Sequence, residues 1–261
     1  MFSSRAIQFV VGIAFLCVIA LFSVWPSEWW PDKGERAPSQ PPQAHSENVP
    51  PPRKSARGPT AGANADFDYY VLVLSWSPTH CASERGRGAD DEVQCRSGRA
   101  YGFVLHGLWP QYERGYPKDC TSNEPREVEG DVLDRVMKIS PSEELVQHEW
   151  VKHGTCSGLS QRDYFAAAER AFASISTPDA YNRPGRAITT TPNEVRDAFL
   201  AANQALASNA LAATCSRNDL AELWICLDKT LAPRKCSADV AKRHCGRREV
   251  RMRAVRGDWP R

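Results

Sequence analysis

Eight of the nine cysteines lie between residues 81 and 245, and the ninth, Cys17, lies in an apolar stretch unlike the surroundings of the rest. In an exported chain eight cysteines permit four disulfides, so the fold has to bring them together in pairs. The N-terminus supplies the export signal. Arg5 is the only charge before an apolar run from Ala6 to Trp25 broken by Gln8, with Trp29 and Trp30 at what would be an interface. About 20 apolar residues match a bilayer core, whereas a cleaved signal has an apolar region of about 7–15 and then a small-x-small site. Residues 1–30 are therefore read as a signal peptide or, with slight preference, an uncleaved anchor over residues 6–25. Either places the remainder across a membrane, in the periplasm or outside the cell.

Residues 31–62 hold eight prolines among Gly, Ser, Gln and Ala and almost nothing apolar to bury. That composition describes an extended or disordered tether, so residues 31–64 are read as a linker. The first strongly patterned segment is Phe67 to Trp76 (FDYYVLVLSW), closed by Ser77-Pro78, which predicts a buried strand. The remainder of the chain, residues 65–261, is the length of one domain rather than two. Ala100 to Trp109 predicts a second strand, and Ala210 to Cys215 with Leu220 to Asp228 a hairpin. Helices are expected over Glu124 to Ile139, Ser142 to His153, Arg162 to Ile175 and Pro192 to Ser208. Ser142 and Thr191 are the expected caps, Glu194 supplies an acidic first turn and Gly154 is a natural stop. Strands and helices mix without a regular βαβ alternation, so the class is α+β.

The chemistry concentrates in two short segments, LHGLWPQY around His106 and HEWVKHGTC around His148 and His153. His45, His80 and His244 read as solvated. The second segment looks at first like a zinc site, but its histidines are five apart. On a helix that separates them by about 140°, so both cannot face one small ion. Glu149 does share a face with His153, and Lys152 lies within one turn of His148 and Glu149. Two histidines from separate segments, a carboxylate and an ammonium, with no metal and no cofactor, are the parts for acid-base cleavage of a phosphodiester. A neutral imidazole takes a proton, an imidazolium gives one, and a nearby cation offsets the charge of the transition state. Trp109 and Tyr116 are suited to stack on unpaired bases.

The two segments FVLHGLWPQY and HEWVKHGTC resemble the signatures of the ribonuclease T2 family, and the likeness runs from about Phe67 to Asp228. It implies a central antiparallel sheet with several helices, stapled by disulfides. It implies metal-independent endonucleolytic cleavage of single-stranded RNA through a 2',3'-cyclic phosphate to a 3'-phosphate, with DNA spared. By resemblance His106 is the general acid, His153 the general base, His148 a phosphate ligand, and Glu149 with Lys152 stabilise the pentacovalent state. Trp109 corresponds to a base-stacking tryptophan, and Gln111 stands where some members carry a base-reading aspartate, so it is either a base contact or a plain surface glutamine. The resemblance pairs Cys120 with Cys156 and Cys215 with Cys226. Proximity alone pairs Cys81 with Cys95 and Cys236 with Cys245.

Two rival readings remain: a catalytically silent T2-like protein that binds RNA, and a zinc-dependent hydrolase. The near-zero net charge of +2 does not argue against a nucleic-acid enzyme, because it is a cancellation. Residues 63–228 carry 16 basic and 24 acidic side chains, and residues 229–261 carry 11 and 3. The expected arrangement is a monomer whose basic tail packs on an acidic body, or instead contacts RNA or an anionic membrane.

Overall fold

A computed structural model describes residues 66–118 and 120–260; the signal and linker readings, residues 1–64, lie outside the described residues. In chain order the elements are β1 (Tyr69–Trp76), α1 (Ser77–Cys81), α2 (Glu92–Cys95), β2 (Phe103–Gln111), α3 (Gly130–Val136), α4 (Glu143–Lys152), α5 (Gln161–Ala173), β3 (Ile188–Thr190), α6 (Pro192–Ala202), β4 (Leu211–Ser216), β5 (Asp219–Leu227), α7 (Ala238–Ala241) and β6 (Val250–Met252). The strands form one sheet in the order β2-β1-β5-β6-β3, with β4 also on β5. Its pairings are antiparallel except for a short parallel contact of β5 with β6 at Asp219 and Arg251, so the sheet is mixed.

β1 lies between β2 and β5 and is buried on both faces. Tyr70, Leu72, Leu74 and Trp76 enter the main core, which α4, α5 and α6 cover with Trp150, Tyr164, Phe165, Val195 and Phe199. The alternate residues Tyr69, Val71 and Val73 face the other way into a smaller cluster with Ala212, Cys226, Cys236 and Val240. A two-sided apolar strand is what an unbroken run such as YYVLVLSW requires. The expected caps form: Ser142 accepts from the Leu145 amide, and Thr191 with Glu194 makes a full capping box.

Two helices are shorter than their periodicity predicts. Residues 124–129 are held as an irregular segment by side chains: Trp150 and Gln161 both donate to the Pro125 carbonyl, and Gln147 brackets Val128. The last predicted helix stops at Ala202, where the Asn203 side chain donates to the carbonyls of Phe199 and Ser176.

The disulfides are Cys81–Cys95, Cys120–Cys156, Cys215–Cys245 and Cys226–Cys236. The first two match expectation, and the pairings Cys215–Cys226 and Cys236–Cys245 are corrected. Strand register gives the reason: on β5 the residue opposite Cys215 is Leu220, while Ile225, next to Cys226, lies opposite Leu211. Each hairpin cysteine therefore reaches into the C-terminal segment instead of across the hairpin. That segment is built into the domain. Arg251 and Arg253 pair with Asp219 at 2.7 and 2.8 Å, Arg234 pairs with Glu113, Met252 is fully buried, and Trp259 packs on the Cys81–Cys95 bridge. His244 is not solvated either: Nδ1 accepts from the Ala213 amide and Nε2 meets Asn193. Among the described residues no helix is long and apolar enough to cross a membrane.

Candidate active site

The site forms on the face of the sheet opposite the main core, where the edge strand β2 meets the end of α4. The β1–β2 ladder pairs Val73 with Gly107 and then Leu74 with Leu105, so His106 is skipped. A bulge of this kind frees one residue from the ladder and re-aims its side chain. His106 thereby turns from the apolar core towards the face that carries Trp109, Glu222 and Trp224. Tyr164 anchors the strand from behind, its hydroxyl donating to the Leu108 carbonyl.

Carboxylates meet both nitrogens of the His106 ring. Nδ1 lies 2.6 Å from Glu222 Oε1, and Nε2 lies 3.5 Å from Glu149 Oε1. Burial works to lower the pKa of this ring, but its bonds to Glu149 and Glu222 and their charges outweigh it and raise the value to about 10. The imidazole is therefore protonated at neutral pH. Glu149, only 3% exposed, also accepts from Trp109 Nε1 at 2.5 Å. Its close approach depends on Gly107, where a Cβ would run into the Glu149 carboxylate and the Trp109 indole nitrogen.

His153 ends α4 in a non-helical conformation, φ −120° and ψ −43°, its amide still bonded to the Glu149 carbonyl. Gly154 comes next because a Cβ there would collide with the Trp150 ring, and the Cys120–Cys156 bridge ties down the next turn. The His153 ring stacks on Trp109 at 5.0 Å and 24°, and its buried Nδ1 has no hydrogen-bond partner. Burial is the main cause lowering its pKa to about 4; Glu149 opposes this, and the charges of Lys152, His106 and His148 reinforce it. The second imidazole is therefore neutral where the first is charged.

Trp109 is the hub, with His106 edge-on at 5.1 Å, His153 stacked and Trp224 edge-on at 5.0 Å. Tyr116, 45% exposed, tilts towards His153 at 6.0 Å. His148 is exposed on α4 and lines a groove of about 740 Å³ with Ser75, His106 and Glu222. Lys152 is half-buried at the end of the helix. Gln111 is neither surface nor open to a base: it is 7% exposed and donates to the Pro110 carbonyl. The sequence pattern does not reveal Glu222, Trp224 and Ser75. Their signal is faint, a lone carboxylate in the apolar strand LAELWICL at the same alternate positions as Trp224 and Cys226. Among the described residues no group of three or more His, Cys, Asp and Glu is arranged to hold a metal ion.

The sequence model described as the Ribonuclease T2 family matches residues 67–236. A ribonuclease of Aeromonas hydrophila is 36% identical over 206 residues, covering 75% of this chain and 89% of that protein. A probable ribonuclease of Haemophilus influenzae is 38% identical over 127 residues, 45% of this chain and 46% of that one. Among solved structures, an RNase-related protein from Calystegia sepium aligns with a TM-score of 0.56 at 22% identity, over 70% of this chain and 96% of its own. The Nicotiana alata SF11-RNase aligns with a TM-score of 0.55 at 20% identity, over 71% and 98%. At such identities these two show the shared fold.

Proposed function

Because the chain belongs to the ribonuclease T2 family and is an endoribonuclease of that type, we propose that it cleaves single-stranded RNA without a metal ion, passing protons between His153 and His106. The observation that carries this reading is the placing of two imidazoles against Trp109, His106 with a carboxylate at each nitrogen, which raises its pKa, and His153 buried on the indole, which lowers its own. Neutral His153 takes the proton of a 2'-hydroxyl, whose oxygen attacks phosphorus. The bond from phosphorus to the 5'-oxygen breaks, and charged His106 protonates that oxygen as it leaves. The products are a 2',3'-cyclic phosphate and a 5'-hydroxyl end. Water then opens the cycle to a 3'-phosphate by the reverse relay.

His148 and Lys152 hold the phosphate and offset its growing charge. Glu149, turned inward onto Trp109 and His106, serves by orienting them, which revises its expected contact with the pentacovalent state. Trp109 and Tyr116 take the base. Gln111 reads a base only if its side chain leaves the Pro110 carbonyl. Four disulfides support an exported enzyme.

Digestion of a defined oligoribonucleotide in EDTA, with mass analysis of the ends, tests the reaction. Cyclic phosphates that convert to 3'-phosphates are expected, and a strand carrying one 2'-deoxynucleotide should resist at that position. Activity that chelation abolishes and zinc restores would refute the mechanism.

A further inference from the structure

We propose that Glu222 is the positioning residue of the general acid: it holds His106 through Nδ1 so that Nε2 carries the proton delivered to the leaving 5'-oxygen. This rests on the acid-base function proposed for His106 and His153 and assigns a residue outside both signature segments.

Three adjacent strands build the device. His106 comes from the bulge in β2, Ser75 from β1, and Glu222 from the β5 position directly opposite Ser75. Glu222 Oε1 accepts from His106 Nδ1 at 2.6 Å and from the Ser75 hydroxyl at 3.4 Å, and Trp224 Nε1 donates to Oε2 at 2.8 Å. Both oxygens are thus fixed. Burial tends to raise the Glu222 pKa, but the bonds and charge from His106, with those from Trp224 and Ser75, lower it. The carboxylate stays ionised against the ring.

The charged and titratable groups turned to His106 are Glu222 from β5, Glu149 and His148 from α4, and His153 at the end of that helix. Farther along the groove lie Glu144 and the His80–Asp91 pair. Of the two carboxylates in reach, Glu149 is the weaker partner, at 3.5 Å and shared with Trp109. It also sits on Nε2, the nitrogen that has to face the substrate. Glu222, the nearer partner of Nδ1 at 2.6 Å beside the Ser75 hydroxyl at 3.3 Å, holds the ring from the far side throughout the cycle. When Nε2–H passes its proton to the 5'-oxygen, the ring is left as the neutral Nδ1–H form, still bonded to Glu222. Its free Nε2 lone pair is then correct for taking a proton from water in the second step. A carboxylate that fixes the tautomer and orientation of a catalytic imidazole is a general device.

The test is Glu222→Gln, read as the pH profile of kcat/KM on an oligonucleotide of adenine and cytosine, beside an NMR titration of the His106 ring. The alkaline limb should move down by at least about one unit, at about tenfold in rate per unit on that side, while the acidic limb set by His153 stays. Trp224→Phe, which frees Oε2, should move the same limb less, and it serves if Glu222→Gln does not fold. An unmoved alkaline limb and an unmoved His106 titration in either folded variant would overturn the proposal. His106→Ala separates the two levels: if it stays active, the acid-base reading itself fails. If it is inactive while Glu222→Gln titrates like wild type, only the role of Glu222 fails.

Discussion

His106 and His153 are the same side chain at almost the same distance from the same tryptophan, 5.1 and 5.0 Å between ring centroids, yet their surroundings charge them oppositely. His106 leaves a strand through a bulge, and flanking elements bring a carboxylate to each of its nitrogens. His153 ends a helix, lies flat on an indole and has cations for neighbours. The difference teaches that a bulged strand and a helix end can set two imidazoles to opposite charge before any substrate arrives. Strand β5 and helix α4 each deliver a carboxylate to one imidazole, and the indole of Trp109 on β2 gives the other an apolar surface.

The comparison breaks most completely if either ring is removed. His106→Ala and His153→Ala should each lower kcat/KM on RNA by about 10²–10⁴-fold or more, and the two losses should differ in pH dependence. Wild-type activity should rise as His153 loses its proton through about pH 4 and fall as His106 loses its own through about pH 10. Residual activity in His153→Ala should lose the acidic limb, and in His106→Ala the alkaline one. Near wild-type rates in either variant would remove that residue from the mechanism.

A smaller break comes from Gly107→Ala. The added methyl displaces Glu149 from Trp109, and with it the second anion of His106. Overpacking of this kind costs about 1–3 kcal/mol, and activity should fall by about 10–100-fold if Glu149 orients both rings. Urea unfolding and steady-state kinetics on the one variant measure both. A stable variant with full activity would show that Glu149 need not be where it is.

The same opposition should appear in stability. His153 prefers to be neutral when folded, so its contribution is complete above about pH 6.5 and lost as pH falls towards 4. His106 prefers to be charged, so its contribution is complete below about 6.5 and lost as pH rises towards 10. At about 1.4 kcal/mol per pKa unit, the change is worth about 3 kcal/mol for His153 and about 5 kcal/mol for His106. His153→Gln should flatten the acid side of a stability-pH curve and His106→Gln the alkaline side. Identical curves for the two variants would contradict the opposite settings.

Sequence pattern predicts what depends on local chemistry. The double-faced strand β1, the cap at Ser142 and the capping box at Thr191 all derive from residue types at short spacing. Its failures are long-range. Nothing local says that Cys215 is offset from Cys226 by the hairpin register, because register is a property of two strands. Arg251, Met252 and Arg253 look like a basic tail until β6 is seen buried, with Asp219 taking both arginines. A deletion from Gly246 onward therefore removes core residues along with charges, and cannot isolate a role of the tail in RNA binding. Glu222 escapes notice for a related reason: its meaning depends on Ser75 and His106, 147 and 116 residues away.

The smallest expected effect concerns Tyr116, the most open aromatic of the site. It stands 45% exposed and tilts over His153 at 6.0 Å, while Trp109 is committed on its indole nitrogen and touched by three other rings. Base stacking on such a ring is worth about 1–3 kcal/mol, and the lower end suits a ring that makes no other fixed contact with the substrate. Tyr116→Ala should therefore raise KM by about fivefold and leave kcat and both pH limbs unchanged, since neither imidazole depends on it. Tyr116→Phe should behave as wild type if stacking is the whole role. A fall in kcat in Tyr116→Ala, or a shift of the His153 limb, would mean that Tyr116 belongs with the groups that keep His153 neutral, and the apolar half of the site would then extend one residue farther, to include it.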